Sequence, residues 1–220
     1  MNKQKLTFYF DYISPYSYLA WHKIDILCEK YNLELKPEPI VFGAILTQLE
    51  NKGPAEVEPK RIFLYKDVLR SANKDNILLK FPPAHPFNPL LALRATCIME
   101  KTTNYNNFIT DIFDACWKEG KDISNIELID SFLKKYNINN GIEFCNNDEI
   151  KNILKEKTTF AINNGIFGVP SMLINEELFW GNDRFDFLEN YIIGKDPINL
   201  EEVEKLKHLP KGIQRKEVKK

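Results

Sequence analysis

Hydrophobic and polar positions change their period along the chain, and each change predicts an element. Leu6-Thr7-Phe8-Tyr9-Phe10 is a compact run of aromatic and β-branched residues between polar neighbours, which suits a buried strand better than a helix, and it ends at Asp11. Ser14-Pro15 then offers an N-cap residue followed by the residue favoured at the first helical position. Tyr18, Leu19, Ile24, Ile26 and Leu27 continue with approximate helical spacing, so a helix is predicted over about 14–30. Asn32 breaks it. Residues 33–42 alternate loosely, with Pro37 and Pro39 pushing the segment toward an edge strand.

From Gly43 to about Gly165 the pattern turns helical, punctuated by Gly53-Pro54, the proline-rich stretch from Phe81 to Pro89, Gly120 and Gly141. Stretches near 90–103, 106–118, 125–136 and 148–163 carry large apolar residues at three- and four-residue intervals, Phe108, Ile112, Phe113 and Trp117 among them, and these stripes read as core. Ser171 to Ile174 reads as a strand, Asn175-Glu176-Glu177 as a tight connection and Leu178-Phe179-Trp180 as the hairpin partner. Gly181-Asn182-Asp183 opens a last helix bearing Phe185, Leu188, Tyr191 and Ile192, and residues 200–220 predict a docked amphipathic helix followed by a frayed charged tail. The expected division is an α/β domain from 1–43 and 165–195, an all-helical insert domain from 44–164 and a charged extension from 196–220.

Composition narrows the picture. With 220 residues, 44% hydrophobic and 28% charged, the chain suits one sizeable domain with an insert, and a fibrous or wholly disordered protein is excluded. Thirty basic residues against thirty-one acidic ones leave a net charge of −1, so no overall field attracts nucleic acid or anionic lipid. No apolar run reaches the ~18 residues of a membrane span. The residues before Phe8 show neither a long apolar signal core nor a cleavage site, so the cytoplasm is the expected address. Cys28, Cys97, Cys116 and Cys145 lack the close spacing of zinc sites or redox pairs and read as free, mostly buried thiols, with no metal expected.

The strongest local candidate for chemistry is Ser14. A strand feeding a helix through Ser-Pro presents a hydroxyl and unpaired N–H groups at a positive helix end, a place that suits an anion. Capping alone accounts for the same serine.

The layout of strand–helix–strand, helices, then hairpin and helix resembles the thioredoxin-like proteins related to disulfide oxidoreductase A. In those proteins this helix begins with Cys-x-x-Cys. Here the frame reads Ser14-Pro15-Tyr16-Ser17, which leaves dithiol exchange no chemistry at this spot. The blocks FYFDYISPYSYLA at 8–20, NKGP at 51–54, HPFNPLLALRA at 85–95, FGVPSM at 167–172 and FWGNDRFDFLE at 179–189 resemble, in order, the 2-hydroxychromene-2-carboxylate isomerases. These are relatives of the kappa-class glutathione transferases, and both groups use glutathione. The resemblance spans roughly 5–194.

It implies a thioredoxin-like α/β fold with a helical insert, a homodimer, glutathione as cofactor and a small aromatic carboxylate as substrate. It implies that Ser14 holds the glutathione thiolate, and that Val169, before a cis Pro170, pairs with the cysteinyl unit through its N–H and C=O. Gly181, Asn182 and Asp183 would hold the γ-glutamyl end, although capping also explains Asn and Asp there. Asn51 and Lys60 match further glutathione contacts, with Arg61 the alternative cation. His85 and Asn88 are candidates for gripping the substrate carboxylate, the alternative being that the prolines around them shape a rigid loop. A free thiol has a pKa of ~8.5, and a helix end (~0.3–1 kcal/mol) plus a hydrogen bond to a charged group (~1.5–3 kcal/mol) lowers it by roughly one to two units. The rival expectations are a kappa-class-like transferase or peroxidase using the same thiolate, and a binding protein of this fold without turnover.

Overall fold

The computed structural model describes residues 3–210 and 212–213. The described residues up to Phe185 form one compact unit, and those from Asp186 onward form another. Four strands, β1 (Lys5–Phe10), β2 (Glu34–Pro39), β3 (Ser171–Ile174) and β4 (Glu177–Trp180), make one sheet in the order β2-β1-β3-β4. β1 runs parallel to β2, with Phe8 opposite Pro37, and antiparallel to β3, with Phe8 opposite Met172. The edge position of β2 leaves its two prolines few ladder bonds to forfeit. The β3–β4 hairpin turns on Asn175 and Glu176, both at positive φ (48° and 70°), so Glu177 belongs to β4 rather than to the connection. Two successive residues at positive φ match the twist of the flanking strands.

The crossover from β1 to β2 is helix α1 (Pro15–Lys30), capped by Ser14. Between β2 and β3 the chain is helical: α2 (Phe42–Gln48), α3 (Glu58–Lys74), α4 (Leu90–Met99), α5 (Tyr105–Phe113), α6 (Ile126–Lys135), α7 (Gly141–Asn146) and α8 (Asp148–Asn163). α5 continues into a wide helical turn at Asp114–Lys118. The two elements α9 (Phe185–Ile192) and α10 (Leu200–Lys207) follow β4. This is a thioredoxin-like α/β core with a large helical insert. α10 is amphipathic as expected, and no residue of it is buried. Most of the expected frayed tail, residue 211 and residues 214–220, lies outside the described residues.

β1 is buried on both faces, which explains its unbroken apolar run. Side chains two apart share a face of a strand. Phe8 and Phe10 stack at 5.9 Å and meet Trp21 of α1, and Phe10 also meets Phe113 of α5 at 5.5 Å. Tyr9 points the other way, into a cluster with Ile40, Ile45, Ala161, Ile166 and Val169.

Asp11 ends β1 inside this core with no exposed surface. Its Oδ1 accepts from the N–H of Ile13 at 3.1 Å and its Oδ2 from the N–H of Phe42 at 2.9 Å, so one carboxyl ties the strand end to the starts of α1 and α2. Burial pushes this carboxyl up to about 7, against the pull of the two N–H donors. Because the folded-state pKa lies above the unfolded value of 3.8, the contribution of Asp11 is fully present below that value and is lost as pH rises toward and through 7. Denaturant unfolding of the wild type and Asp11→Asn from pH 4 to 8 checks this. The stability difference between the two should move against the wild type by roughly 2–4 kcal/mol as pH rises.

Candidate active site

The site is built where α1 begins. Ser14 adopts extended backbone angles (φ −93°, ψ 113°), and its Oγ accepts at 3.2 Å from the N–H of Ser17, which also donates to the Ser14 carbonyl at 3.0 Å, so the first turn closes on this one residue. The same hydroxyl donates to the carbonyl of Val169 at 3.5 Å, a long bond at the weak end of the range. The Val169–Pro170 peptide is cis, as the resemblance implies. Thus two segments 155 residues apart in sequence meet at one oxygen.

Beside this contact lies a cleft of about 430 Å³ lined by Tyr16, Asp67, Ser71, Val169, Pro170 and residues 180–184. Ser14 is 8% exposed and is not itself among the lining residues. Asn182, a residue of the cleft lining, is 7% exposed, and its Oδ1 is a buried acceptor with no hydrogen-bond partner among the described residues. Such an orphan costs stability unless a ligand or water supplies the donor. Asp183 is more exposed and pairs with Arg184 at 3.0 Å. Gly181 has φ +113°, and a Cβ there would lie 2.6 Å from Asp183 Oδ1.

Tyr16 separates this cleft from a second, shallow recess of about 420 Å³ lined by Tyr16, Pro54, Pro59, Lys60, Phe63 and Leu64. Its hydroxyl donates to Asp67 Oδ2 at 2.7 Å. Burial, then that hydrogen bond, push the Tyr16 hydroxyl well above its usual range, so it remains a protonated donor. Lys23 of α1 fixes the far wall: its ammonium donates to the Asn182 carbonyl at 3.0 Å, pairs with Asp75 at 3.2 Å and sits 4.6 Å from the Phe185 ring centre.

The structure therefore brings Ser14, Val169, Pro170, Gly181, Asn182 and Asp183 together and puts Lys60 across Tyr16 from them. Other candidates are differently occupied. Asn51 is exposed, with its Oδ1 accepting from the next N–H, that of Lys52. Asn88 is exposed too, and its Oδ1 accepts from the N–H of Leu90, an Asx turn at the start of α4. His85 is bonded through Nε2 to the carbonyl of Ile13 at 3.0 Å. Sequence reasoning missed Tyr16, Lys23, Asp67, Ser71, Trp180 and Arg184. Only Tyr16, inside the Ser-Pro-Tyr-Ser frame, and Trp180 and Arg184, beside Gly181-Asn182-Asp183, carried a signal. Among the described residues no cluster of His, Cys, Asp and Glu could hold a metal ion, and no helix is long and apolar enough to cross a membrane.

Comparison with known proteins converges on one group. The DSBA-like thioredoxin domain matches residues 5–193. A 2-hydroxychromene-2-carboxylate isomerase of Pseudomonas sp. (strain C18) is 31% identical over 197 residues, covering 87% of this chain and 91% of that protein. Glutathione S-transferase kappa 2 of Caenorhabditis elegans is 26% identical over 208 residues, covering 87% of this chain and 92% of its own. A solved structure of a 2-hydroxychromene-2-carboxylate isomerase superposes with a TM-score of 0.80 at 25% identity, over 92% of this chain and 98% of that one.

The cleft wall makes one demand that can be checked directly. A Cβ at Gly168 would fall on Trp180 Nε1, and the indole is already held edge-to-face by Phe167 at 4.9 Å. Gly168→Ala should therefore displace the indole, with a stability loss of about 1–3 kcal/mol in denaturant melts. Trp180 is 51% exposed whereas Trp21 and Trp117 are buried, so the red edge of tryptophan emission should change in Gly168→Ala and disappear in Trp180→Phe.

Proposed function

The chain belongs to the DSBA-like thioredoxin domain family and is closely related to the 2-hydroxychromene-2-carboxylate isomerases, and from that premise we propose that it is a glutathione-dependent isomerase. Kinship with those enzymes supports an enzymatic role of isomerase type. The finer reading is that it isomerises 2-hydroxychromene-2-carboxylate or a related aromatic-degradation intermediate, with Ser14 serving a bound thiolate.

One observation carries the glutathione reading: Asn182, whose Oδ1 has no partner among the described residues, lines the same cleft as Val169, the residue that accepts from Ser14 Oγ. The γ-glutamyl group of glutathione ends in an ammonium and a carboxylate. The ammonium would supply the missing donor to Asn182, with the Asp183 carboxylate as its counter-charge. The relatives named as kappa-class glutathione transferases point to the same ligand. When bound, glutathione supplies a thiolate nucleophile, whose addition to a conjugated substrate turns a double bond into a rotatable single bond.

The chain's own residues then have defined tasks. The Ser14 hydroxyl gives up a weak 3.5 Å bond to Val169 when it donates to a thiolate, while its lone pair continues to accept from Ser17. The first turn of α1 adds its positive end, and no general base is needed. Val169 orients the cysteinyl unit through its backbone beside Pro170. Lys60 offers the cation for the glycyl carboxylate, with Asn51 nearby in the chain. The apolar recess against Phe63, Pro54 and Pro59 suits the substrate's conjugated ring, so residues 44–164 act as the substrate-facing insert in this reading.

Titrating glutathione with the purified protein while following thiolate absorbance, then assaying chromene isomerisation, tests the proposal. Ser14→Ala should raise the bound thiol pKa by about one to two units and slow isomerisation about 10–100-fold. Asn182→Ala should weaken glutathione binding about tenfold, with little change in turnover at saturation. A reaction equally fast without glutathione would remove the cofactor. A conjugate or an oxidised thiol as product would favour the kappa-class-like transferase or peroxidase, and binding without any turnover would leave a binding protein of this fold.

A further inference from the structure

Ser14 is delivered by a turn, Tyr12-Ile13-Ser14, whose Ser14 N–H and whose Tyr12 and Ile13 carbonyls each have a partner. The N–H of Ser14 donates to the carbonyl of Asp11 at 3.1 Å. Trp117 Nε1 donates to the carbonyl of Tyr12 at 2.7 Å. The carbonyl of Ile13 meets His85 Nε2 at 3.0 Å. The Ile13 carbonyl and the Ser14 N–H are two ends of one planar peptide unit. That plane is consequently held at both ends, and with it the direction from which the Ser14 side chain departs.

A carbonyl oxygen only accepts, so His85 must carry its hydrogen on Nε2, which leaves Nδ1 bare. Nδ1 is buried and has no partner among the described residues. Burial first, and the charge of Arg61, hold the imidazole below its ordinary value and hence neutral, although the bond to Ile13 pulls the other way. The ring is also wedged. Trp117 stands edge-on at 5.4 Å, Tyr65 lies at 5.8 Å and Phe87 at 6.2 Å, and the Tyr65 hydroxyl donates to the His85 carbonyl at 3.1 Å. A neutral imidazole with its donor engaged and only a lone pair to offer does not attract a carboxylate.

We propose that His85 is a positioning residue, not a substrate ligand: by pinning the Ile13–Ser14 peptide it fixes the aim of the Ser14 hydroxyl. The inference rests on the reading of Ser14 given above for its functional consequence, and on geometry alone for the pinning. It makes His85 the far end of a relay of two hydrogen bonds, from imidazole to peptide and from Ser14 Oγ to the first turn of α1.

Three measurements on the full chain test it. Nitrogen-15 NMR of the histidines should find His85 neutral and protonated at Nε2 at pH 7; a charged ring or a hydrogen on Nδ1 overturns the proposal. Amide exchange at Ser17, whose N–H is shared between the carbonyl and the Oγ of Ser14, should quicken several-fold in His85→Leu and return toward wild type in His85→Gln, whose amide nitrogen can replace Nε2. Unchanged exchange in His85→Leu overturns it, also if affinity for an aromatic carboxylate falls, because that pattern returns His85 to the substrate. With glutathione bound, His85→Leu should raise the thiol pKa at little changed glutathione affinity, and His85→Gln should restore it. A wild type that leaves the thiol pKa unperturbed would defeat the Ser14 reading alone, with exchange and tautomer still deciding the role of His85. Should His85→Leu not fold, the tautomer and His85→Gln decide.

Discussion

A peptide turn with little access to water needs partners for its N–H and C=O groups, and the turn from Asp11 to Ser14 draws several of them from distant parts of the chain. Phe42 of α2 lends its N–H to the Asp11 carboxylate, Trp117 its indole N–H to Tyr12, and His85 its ring to Ile13. Tyr12 is held further by its side chain, which packs against Phe113 at 4.7 Å and bonds through its hydroxyl to Thr96 of α4 at 2.8 Å. The helices inserted between β2 and β3 are thus more than an addition to the sheet. They and the loop before α4 supply hydrogen-bond partners to the turn that presents the first helix.

The opposite wall of the cleft is fixed by different means. Gly168 lets the Trp180 indole lie against the backbone, Gly181 takes a left-handed φ and donates its N–H to the Pro170 carbonyl at 3.0 Å, and Lys23 reaches from α1 to the Asn182 carbonyl. Each contact spans segments that are far apart in sequence or requires a backbone that only glycine adopts without strain. Contacts of this kind restrict the backbone of a cleft wall, and a restricted wall loses less conformational entropy on binding. The oxygen of Asn182 is the counterpart of that arrangement: a polar atom held out of water with no hydrogen-bond partner among the described residues.

What was legible in the sequence followed from local rules. The aromatic run of β1, the Ser14-Pro15 start of α1 and the hairpin after Pro170 are written in residue types and spacing, and the family resemblance added the meeting of Ser14 with Val169. α3 was harder to see, because its buried stripe is only Leu64, Val68 and Ala72 while Ile62, Phe63 and Leu69 on the same helix are exposed and blur the period. The hairpin connection was misjudged by one residue because Glu176 adopts the left-handed region that composition alone assigns to Asn or Gly. Asn88 and His85 carry the right chemistry for a carboxylate, yet their groups bond to backbone at Leu90 and Ile13. Backbone acceptors have no residue-type signature, so a side chain that serves one reads the same as a side chain free to meet substrate. Tyr16 and Asp67 meet across 51 residues, another pairing that no spacing encodes.

The cysteines bear on where a reactive sulfur can come from. All four are free and buried, and burial pushes Cys28, Cys97 and Cys145 up to about 12 and Cys116 higher still. The thiolate is the nucleophile, so burial keeps these thiols in their less reactive protonated form at neutral pH. The two positions where the redox relatives carry sulfur hold Ser14 and Ser17. Sulfur chemistry at the start of α1 therefore has to be done by a thiol that enters from outside, and in the proposed reading that thiol is glutathione. Burying the protein's own cysteines also has a consequence for such an enzyme. A chain that draws a thiolate to its surface and keeps it ionised is exposed to mixed disulfides whenever that thiol is oxidised, and cysteines that are both inaccessible and protonated give such a disulfide nothing to react with.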